Sequence, residues 1–327
     1  MKIAVIGGVG STAVLIKKLH EHRFRHIKVW GYVPQDVSLI SGWSDLASLC
    51  STLQISYQSF VRVGECIEDI QTFEPDIIFA VGLSQLIPRQ IMQAASKGCI
   101  GFHPTALPQG RGRAPIAWLV LDQTDGAASF FHIREGVDDG PILAQQRFAV
   151  TVLDDAATVE QKVLATEAIA LDSLLPKLAT GWFDGVEQDH ARASWYGRRT
   201  PDDGLIDWHQ PVAEIARLVR ASGRPHPGAF TYCQDETVII WHADVDTRAE
   251  KGVVGRVLSV EADLRSFSVQ CGQGLLRVMS WEASEAWAPR VGQKLGYYTE
   301  AEIYRLRSQI SRLTQRIVDL EHEIRRL

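Results

Sequence analysis

The sequence predicts an α/β protein: a doubly wound, mainly parallel sheet of Rossmann-like type, then a small β-rich domain and a C-terminal helix. Three observations favour this fold class. Short apolar runs alternate with helix-period patterns in the first half of the chain, as in a parallel sheet. Residues 237–280 alternate β-branched residues with glycine turns, and an apolar heptad pattern begins at Ile303. We therefore expect three segments, 1–190, 191–299 and 300–327.

The composition is that of an ordinary globular protein. Of the 327 residues, 46% are hydrophobic and 22% are charged, and a chain of this length usually forms about two domains. The net charge of −5 argues against a large basic surface for nucleic acid. The five cysteines lack metal-ligand spacing, and no apolar run approaches the ~20 residues of a membrane span. We expect a cytoplasmic protein without disulfides, a bound metal or a membrane segment.

The elements of the first domain follow in order. Lys2–Ile6 is a short apolar strand, and the glycine-rich turn after it leads into a helical pattern over Val14–Leu19. A long amphipathic pattern over Thr158–Leu178, with a capping box at Thr158 and Gln161, predicts the helix that closes the domain. Between them, apolar and β-branched runs predict strands at 27–33, 77–81, 100–103 and 127–133.

The first turn, Gly8-x-Gly10-x-x-Ala13, also fits a dinucleotide-binding fingerprint, which keeps a nicotinamide oxidoreductase open as another class. That fingerprint needs an acidic residue at the end of the second strand, about 20 positions on. The sequence there is Val33-Pro34-Gln35, before Asp36. We therefore favour a turn that binds a phosphate or no ligand, with glycines that serve backbone geometry.

The second domain is predicted to be mostly β. A short helix over Val212–Ala221 precedes four strands, and their alternating β-branched residues and glycine turns are typical of a small open barrel of the OB type. Such barrels often bind nucleic acid, but these strands carry few basic residues, so a structural module is favoured. The strands are expected at 237–242, 252–260, 266–271 and 275–280.

The tail carries a coiled-coil pattern. Isoleucine occupies every a position and leucine every d position from Ile303 to Leu327, with no proline or glycine, a combination that favours two parallel strands. Arg316 at g can reach Glu321 at e of the partner helix. We predict a homodimer through this helix. A single amphipathic helix packed on the barrel is the alternative, although such a helix usually has a broader apolar face.

The candidate catalytic residues are a histidine and an aspartate. His103 follows a short apolar run, in a segment too rich in proline to continue as a helix. With an ordinary pKa near ~6.5, an imidazole can accept a proton near neutral pH. Asp138 lies in a turn before the strand that starts at Ile142, and its carboxylate could orient the imidazole. Alternatively, the two side chains lie on the surface and never meet.

The motif H-x-x-x-L-P-x-x-R-G-x-x-P, from His103 to Pro115, followed by D-x-G-x-I from Asp138 to Ile142, resembles the active site of folate-dependent formyltransferases. The stretch PDIIFAVGLSQLIP, Pro75–Pro88, is similar to the strand and folate-lining loop of that family. YGRRTPDDGLIDWHQP and LVRASGRPHPGAFTY are most similar to members that formylate nucleotide-linked amino sugars. The resemblance covers roughly residues 1–297.

The resemblance implies a reaction and roles for named residues. The formyl donor would be 10-formyltetrahydrofolate, His103 would accept the proton of the attacking amine, and Asp138 would hold the imidazole. Arg111 would position the substrate or its loop. Further substrate contacts are expected from Arg113, Arg198 and Arg199, and folate contacts from Gly82, Leu83, Ser84, Leu86 and Ile87. The alternatives are formylation of another amine, including methionyl-tRNA, and a catalytically impaired relative.

One position departs from the family pattern. The family has Asn-x-His, whereas this chain has Gly101-Phe102-His103. The family's carboxamide helps to bind the formyl oxygen as it becomes an oxyanion, and losing one such donor typically costs ~10²–10³ in rate. Glycine could let a backbone N–H, a water molecule or another side chain approach instead. Ser129 and His132, on the strand that precedes Asp138, are the candidate replacement donors.

Overall fold

The computed structural model describes residues 1–36, 41–262 and 265–325. It divides the chain into two compact units. The first holds Met1–Asp203 and Arg220–Pro227, and the second holds Gly204–Val219 and the chain from Gly228 onward. Residues 191–203, assigned above to the second domain, are therefore part of the first compact unit. The domain boundaries themselves stay a prediction.

The first unit is built on a seven-stranded mixed sheet, and the predicted α/β class with a mainly parallel sheet is confirmed. Its strands are β1 (Lys2–Gly7), β2 (His26–Tyr32), β3 (Ser56–Phe60), β4 (Ile77–Ala80), β5 (Gly98–Thr105), β7 (Gly126–His132) and β8 (Ile142–Phe148), and a separate parallel pair is formed by β6 (Arg111–Gly112) and β9 (Trp195–Tyr196). The sheet order is β3-β2-β1-β4-β5-β7-β8. Strands β1 to β5 are parallel, whereas β7 and β8 are antiparallel to their neighbours.

The α-helices of the structure include those predicted over Val14–Leu19, Thr158–Leu178 and Val212–Ala221. In chain order they are α1 (Gly10–Glu21), α2 (Leu46–Leu53), α3 (Ile67–Phe73), α4 (Arg89–Met92), α5 (Pro115–Asp122), α6 (Ala156–Ala179), α7 (Val212–Ser222) and α8 (Thr299–Ile324). The capping box of α6 lies three residues earlier than predicted. Asp155 is the N-cap, its Oδ1 accepts the Thr158 N–H at 2.8 Å, and Thr158 Oγ1 accepts the Asp155 N–H at 2.8 Å.

Strand β1 separates two hydrophobic cores, because its side chains alternate between the faces of the sheet. Ile3 and Val5 pack with Leu15 of α1 and Leu171 of α6. Ala4, Ile6 and their neighbours form the core on the other face, with α3. Both faces of the central strand are fully buried, as expected for a parallel sheet covered on two sides.

The turn after β1 needs glycine for packing. A Cβ atom at Gly7 would lie 2.0 Å from the carbonyl oxygen of Val81, at the end of β4. Thr12 Oγ1 donates to that same oxygen at 2.7 Å and accepts the N–H of Gly8 at 3.1 Å. The close approach of two strand ends accounts for the glycine at position 7, directly before the fingerprint Gly8-x-Gly10-x-x-Ala13.

The second unit contains a five-stranded antiparallel sheet, so the predicted C-terminal β domain is confirmed in this form. Its strands are β10 (Ala229–Cys233), β11 (Glu236–Asp246), β12 (Val257–Val260), β13 (Phe267–Gln270) and β14 (Leu275–Glu282), in the order β10-β11-β14-β13-β12. Trp208 is a core residue, 3% exposed, and its Nε1 donates to Thr231 Oγ1 at 2.9 Å. Strand β10 was not predicted.

The C-terminal helix α8 is formed, and none of its described residues is buried. The predicted a and d residues that the structure describes are 40–68% exposed. Leu327, the last d position, lies outside the described residues. Across residues 1–36, 41–262 and 265–325, no helix is both long and apolar enough to cross a membrane.

Candidate active site

His103 lies near the carboxyl end of β5, opposite Ser129 of β7, and is only 5% exposed. Its Nε2 is 2.8 Å from the carbonyl oxygen of Gly110 in the loop that follows. A carbonyl oxygen can only accept, so Nε2 carries the proton in the neutral ring. Nδ1 therefore presents a lone pair, which is the form that a proton acceptor requires.

Asp138 faces that nitrogen. Its Oδ2 lies 3.7 Å from His103 Nδ1 and accepts the N–H of Gly112 at 2.9 Å. The two predicted residues therefore meet, and the alternative in which they lie apart on the surface is wrong. At 3.7 Å the contact is electrostatic rather than a hydrogen bond, and catalytic contacts are often this long before substrate binds.

Arg111 is not exposed as a free binding group. It is 3% exposed, and its Nε and Nη2 donate to Gln188 Oε1 at 3.2 and 2.7 Å. Nη2 also lies 3.3 Å from His190 Nδ1, and the guanidinium stands 5.9 Å from the ring centre of Trp195. None of these partners is a carboxylate. Among the described residues no carboxylate forms an ion pair with Arg111, so its charge has no counter-ion there.

Gln188 joins the two loops of the site. It is 5% exposed, and its Nε2 donates to the carbonyl oxygens of Asp138 at 2.9 Å and Gly140 at 2.7 Å. Its oxygen holds Arg111, so one carboxamide bridges the arginine loop and the aspartate turn. Gln188 was not predicted from the sequence, because a lone glutamine in a polar stretch carries no spacing signal.

The other predicted arginines have separate surroundings. Arg113 Nη1 donates to the Ser84 carbonyl oxygen at 2.9 Å, which joins the arginine loop to the predicted folate loop. Arg198 is exposed. Arg199 is half-buried, donates to the Asp203 carbonyl oxygen at 2.9 Å and stands 5.4 Å from the ring centre of Trp118. Burial lowers the pKa of the Arg199 guanidinium.

The predicted folate loop follows β4. Gly82 has a φ of +67°, and a Cβ atom there would come within 2.3 Å of Val9 Cγ2, so only glycine fits. Leu83 and Ile87 pack partly against the core. Leu86 is 86% exposed and offers apolar surface beside Ser84, whose carbonyl oxygen holds Arg113.

The space beside Gly101 is filled by neighbouring side chains. A Cβ atom there would lie 2.8 Å from the Phe131 ring and 3.0 Å from Ile133 Cγ1. Both candidate replacement donors are already engaged, so that part of our expectation is corrected. Ser129 Oγ donates to the Thr105 carbonyl oxygen at 2.6 Å, and His132 Nε2 donates to that of Phe183 at 2.8 Å. Neither retains a free donor hydrogen.

Residues 47–175 match the family model "Formyl transferase", and residues 198–286 match "Formyl transferase, C-terminal domain". Among solved structures, the chain is similar to an N-formyltransferase from Helicobacter canadensis in complex with folinic acid and dTDP-3-aminofucose. The TM-score is 0.63 at 14% identity, over 86% of this chain and 100% of that one.

HypX from Aquifex aeolicus in complex with tetrahydrofolic acid is similar over 86% of this chain, with a TM-score of 0.63 and 17% identity. The match covers 44% of HypX, so this chain spans less than half of that protein. A methionyl-tRNA formyltransferase from Clostridium thermocellum gives a TM-score of 0.53 at 17% identity, over 78% of this chain and 96% of that one. At such identities these likenesses establish a shared fold.

Proposed function

The chain belongs to the folate-dependent formyl transferase family, and from this premise we propose that it formylates the amine of a nucleotide-linked amino sugar. The observation that carries the proposal is the pair His103 and Asp138, 3.7 Å apart, both in contact with the arginine loop. The co-substrate 10-formyltetrahydrofolate supplies the formyl group. We assign its binding to Gly82, Leu83, Ser84, Leu86 and Ile87.

The chain's own residues account for the proton that moves from the amine to the folate. The amine becomes more acidic as it bonds to the formyl carbon, and the unprotonated Nδ1 of His103 takes the proton. The imidazolium then gives that proton to the folate nitrogen as its bond to the formyl carbon breaks, so no net proton is released. Asp138 stabilises the resulting imidazolium because its carboxylate lies beside that nitrogen. The bond from Nε2 to Gly110 keeps the ring in the tautomer that leaves Nδ1 free.

Accessible arginines favour a substrate with an anionic part. Arg113 and Arg198 are exposed and Arg199 is half-buried, and we assign all three to the substrate. Arg111 is buried against Gln188, so we assign it to positioning the arginine loop. The net charge of −5 favours a nucleotide sugar over methionyl-tRNA, which needs a larger basic surface.

The proposal is tested with purified protein, 10-formyltetrahydrofolate and a panel of UDP-, dTDP-, GDP- and CMP-linked amino sugars. Mass spectrometry should detect a product in which CHO replaces H, together with tetrahydrofolate. Methionyl-tRNA is assayed in parallel. If methionyl-tRNA is formylated and no amino sugar is, the amino-sugar proposal is wrong and methionyl-tRNA is the substrate. Folate binding without transfer to any amine would identify an impaired relative.

We expect that position 101 has no room for a side chain, so that restoring the family's asparagine there would not raise the activity. Replacing Gly101 by asparagine should not raise the single-turnover rate, because its Cβ atom would collide with the Phe131 ring. A gain of roughly tenfold, ~1.4 kcal/mol in the barrier, would instead indicate an enzyme crippled by the missing carboxamide. The double variant with Phe131→Ala is the control, since it makes room for the asparagine. Single-turnover rates of the three proteins separate these outcomes.

We also propose a homodimer through α8. Its a and d residues form an exposed apolar stripe, and two g-to-e pairs of opposite charge, Glu302 with Arg307 and Arg316 with Glu321, suit a parallel pair of helices. We further propose that the five-stranded sheet of the second unit is an OB-like module. We also propose that the protein resides in the cytoplasm, where its five unpaired, buried cysteines stay reduced.

The dimer should depend on the apolar a and d residues of α8 alone. Leu313→Glu places a charge at a d position and is expected to halve the mass measured by light scattering, from twice 36.3 kDa to 36.3 kDa. Gln315→Glu, at the outward f position, is the matched control and should remain dimeric. Truncation after Thr299 should act like Leu313→Glu and spare catalysis. A full-length protein that is monomeric at micromolar concentration would disprove the dimer.

A further inference from the structure

The carboxamide of Gln188 is saturated by the two segments that carry the catalytic pair. A carboxamide has two N–H donors and two acceptor lone pairs. Both donors go to carbonyl oxygens of the aspartate turn, and both lone pairs face the guanidinium of Arg111. Because the side chain is almost fully buried, water cannot replace any of these bonds without cost.

Asp138 needs such support because its backbone is strained. Its φ is +50°, in the left-handed region that residues other than glycine seldom adopt. Gln188 donates to the carbonyl oxygen of this residue, and Gly112 donates to its carboxylate. The residue is thus held at both ends. Without the glutamine the backbone can relax to a right-handed conformation and turn the carboxylate away from His103.

We propose that Gln188 is a positioning residue that sets the Asp138 carboxylate against His103. It acts through the backbone of Asp138 and Gly140 and touches no reacting atom, and its effect on rate rests on the proposed function. Arg111 completes the arrangement from the other side, since it fixes the carboxamide oxygen and leaves the NH₂ group aimed at the turn.

Gln188→Glu keeps the contact of Gln188 with Arg111 and removes its bonds to the aspartate turn. The carboxylate keeps an acceptor for Arg111 but turns both donors into acceptors that face carbonyl oxygens, so the turn is repelled. The matched control is Gln270→Glu in the second unit. Gln270 is equally buried, donates to the carbonyl oxygens of Cys271 and Gly274, and accepts the Gly252 N–H. Its NH₂ group has the same kind of partners, two carbonyl oxygens, but it lies far along the chain from the catalytic pair.

We expect Gln188→Glu to lower kcat by roughly tenfold or more while KM for both substrates changes little, because the missing interaction acts on the chemical step. Gln270→Glu should leave kcat unchanged. In an Asp138→Asn background, Gln188→Glu should add almost no further loss, whereas a merely structural effect would add in full. If Gln188→Glu does not fold, Gln188→Met carries the same comparison without a buried charge.

A readout that needs no activity separates this inference from the proposed function. In glycine-labelled protein, the Gly112 amide reports its bond to the Asp138 carboxylate by its chemical shift and its hydrogen exchange rate. Gln188→Glu should move that resonance and speed its exchange, and Gln270→Glu should not. A moved resonance in a protein without formyl transfer would support the positioning role and reject the reaction. Formyl transfer with kcat and the Gly112 amide unaltered in both Gln188 variants would overturn the positioning role.

Discussion

Replacing His103 by alanine should lower the single-turnover rate of formyl transfer by ~10²–10⁴, the usual contribution of a positioned general base. The expectation rests on Nδ1, which is free of a proton in the neutral ring and lies beside the Asp138 carboxylate. Stability should fall by about 1 kcal/mol, since one buried hydrogen bond to Gly110 is lost. Quenched-flow rates and thermal melts measure the two effects separately.

Two further variants isolate the basic nitrogen from the hydrogen bond. His103→Gln can still donate to Gly110 but offers no base, so its rate should be as low as that of His103→Ala. His132→Gln is the matched control, because His132 also donates from Nε2 to a backbone carbonyl, and no carboxylate of residues 1–36, 41–262 or 265–325 forms an ion pair with its ring. It should keep most of the turnover. A His103→Gln protein with near wild-type rates would show that another group accepts the proton.

The elements that could be predicted from the sequence are those whose burial leaves a local pattern. β1, β4 and β7 are buried along most of their length and appear as apolar runs. β3 was missed because it is the edge strand, with mostly exposed side chains and no apolar run over Ser56–Phe60. The α6 cap was misplaced because Asp155 and Thr158 form the same kind of box one turn earlier than Thr158 and Gln161.

The site was predictable to the extent that its residues lie in contiguous motifs. His103 and Asp138 came from motifs, and the structure brings them together. What Arg111 contacts could not be predicted, because its partner Gln188 lies 77 residues away and meets it only through the fold. The hydrogen bonds of Ser129 and His132 could not be predicted for the same reason. Each donates to a backbone carbonyl that lies nearby only in the folded chain.

A buried carboxyl group outside the catalytic pair gives the largest expected effect on stability. Glu167 of α6 is 0% exposed, and within the described parts of the chain neither of its carboxyl oxygens has a hydrogen-bond partner. Burial without a partner penalises the charged form, so the pKa of Glu167 is raised well above its ordinary value. The folded protein therefore keeps a proton on this group over a pH range in which the unfolded chain releases it.

Replacing Glu167 by methionine should stabilise the protein at about pH 8, and the gain should shrink toward about pH 4. The sign follows from the raised pKa. Above the unfolded value of about 4.3, the unfolded chain ionises while the folded chain does not, so each pH unit costs about 1.4 kcal/mol until the raised folded pKa is reached. Methionine has similar length, favours helix and needs no partner. Gln161→Met, exposed on the same helix, should leave the pH dependence of the melting temperature unchanged. A Glu167→Met protein less stable than wild type at both pH values would mean that the carboxyl group has a partner in the folded protein after all.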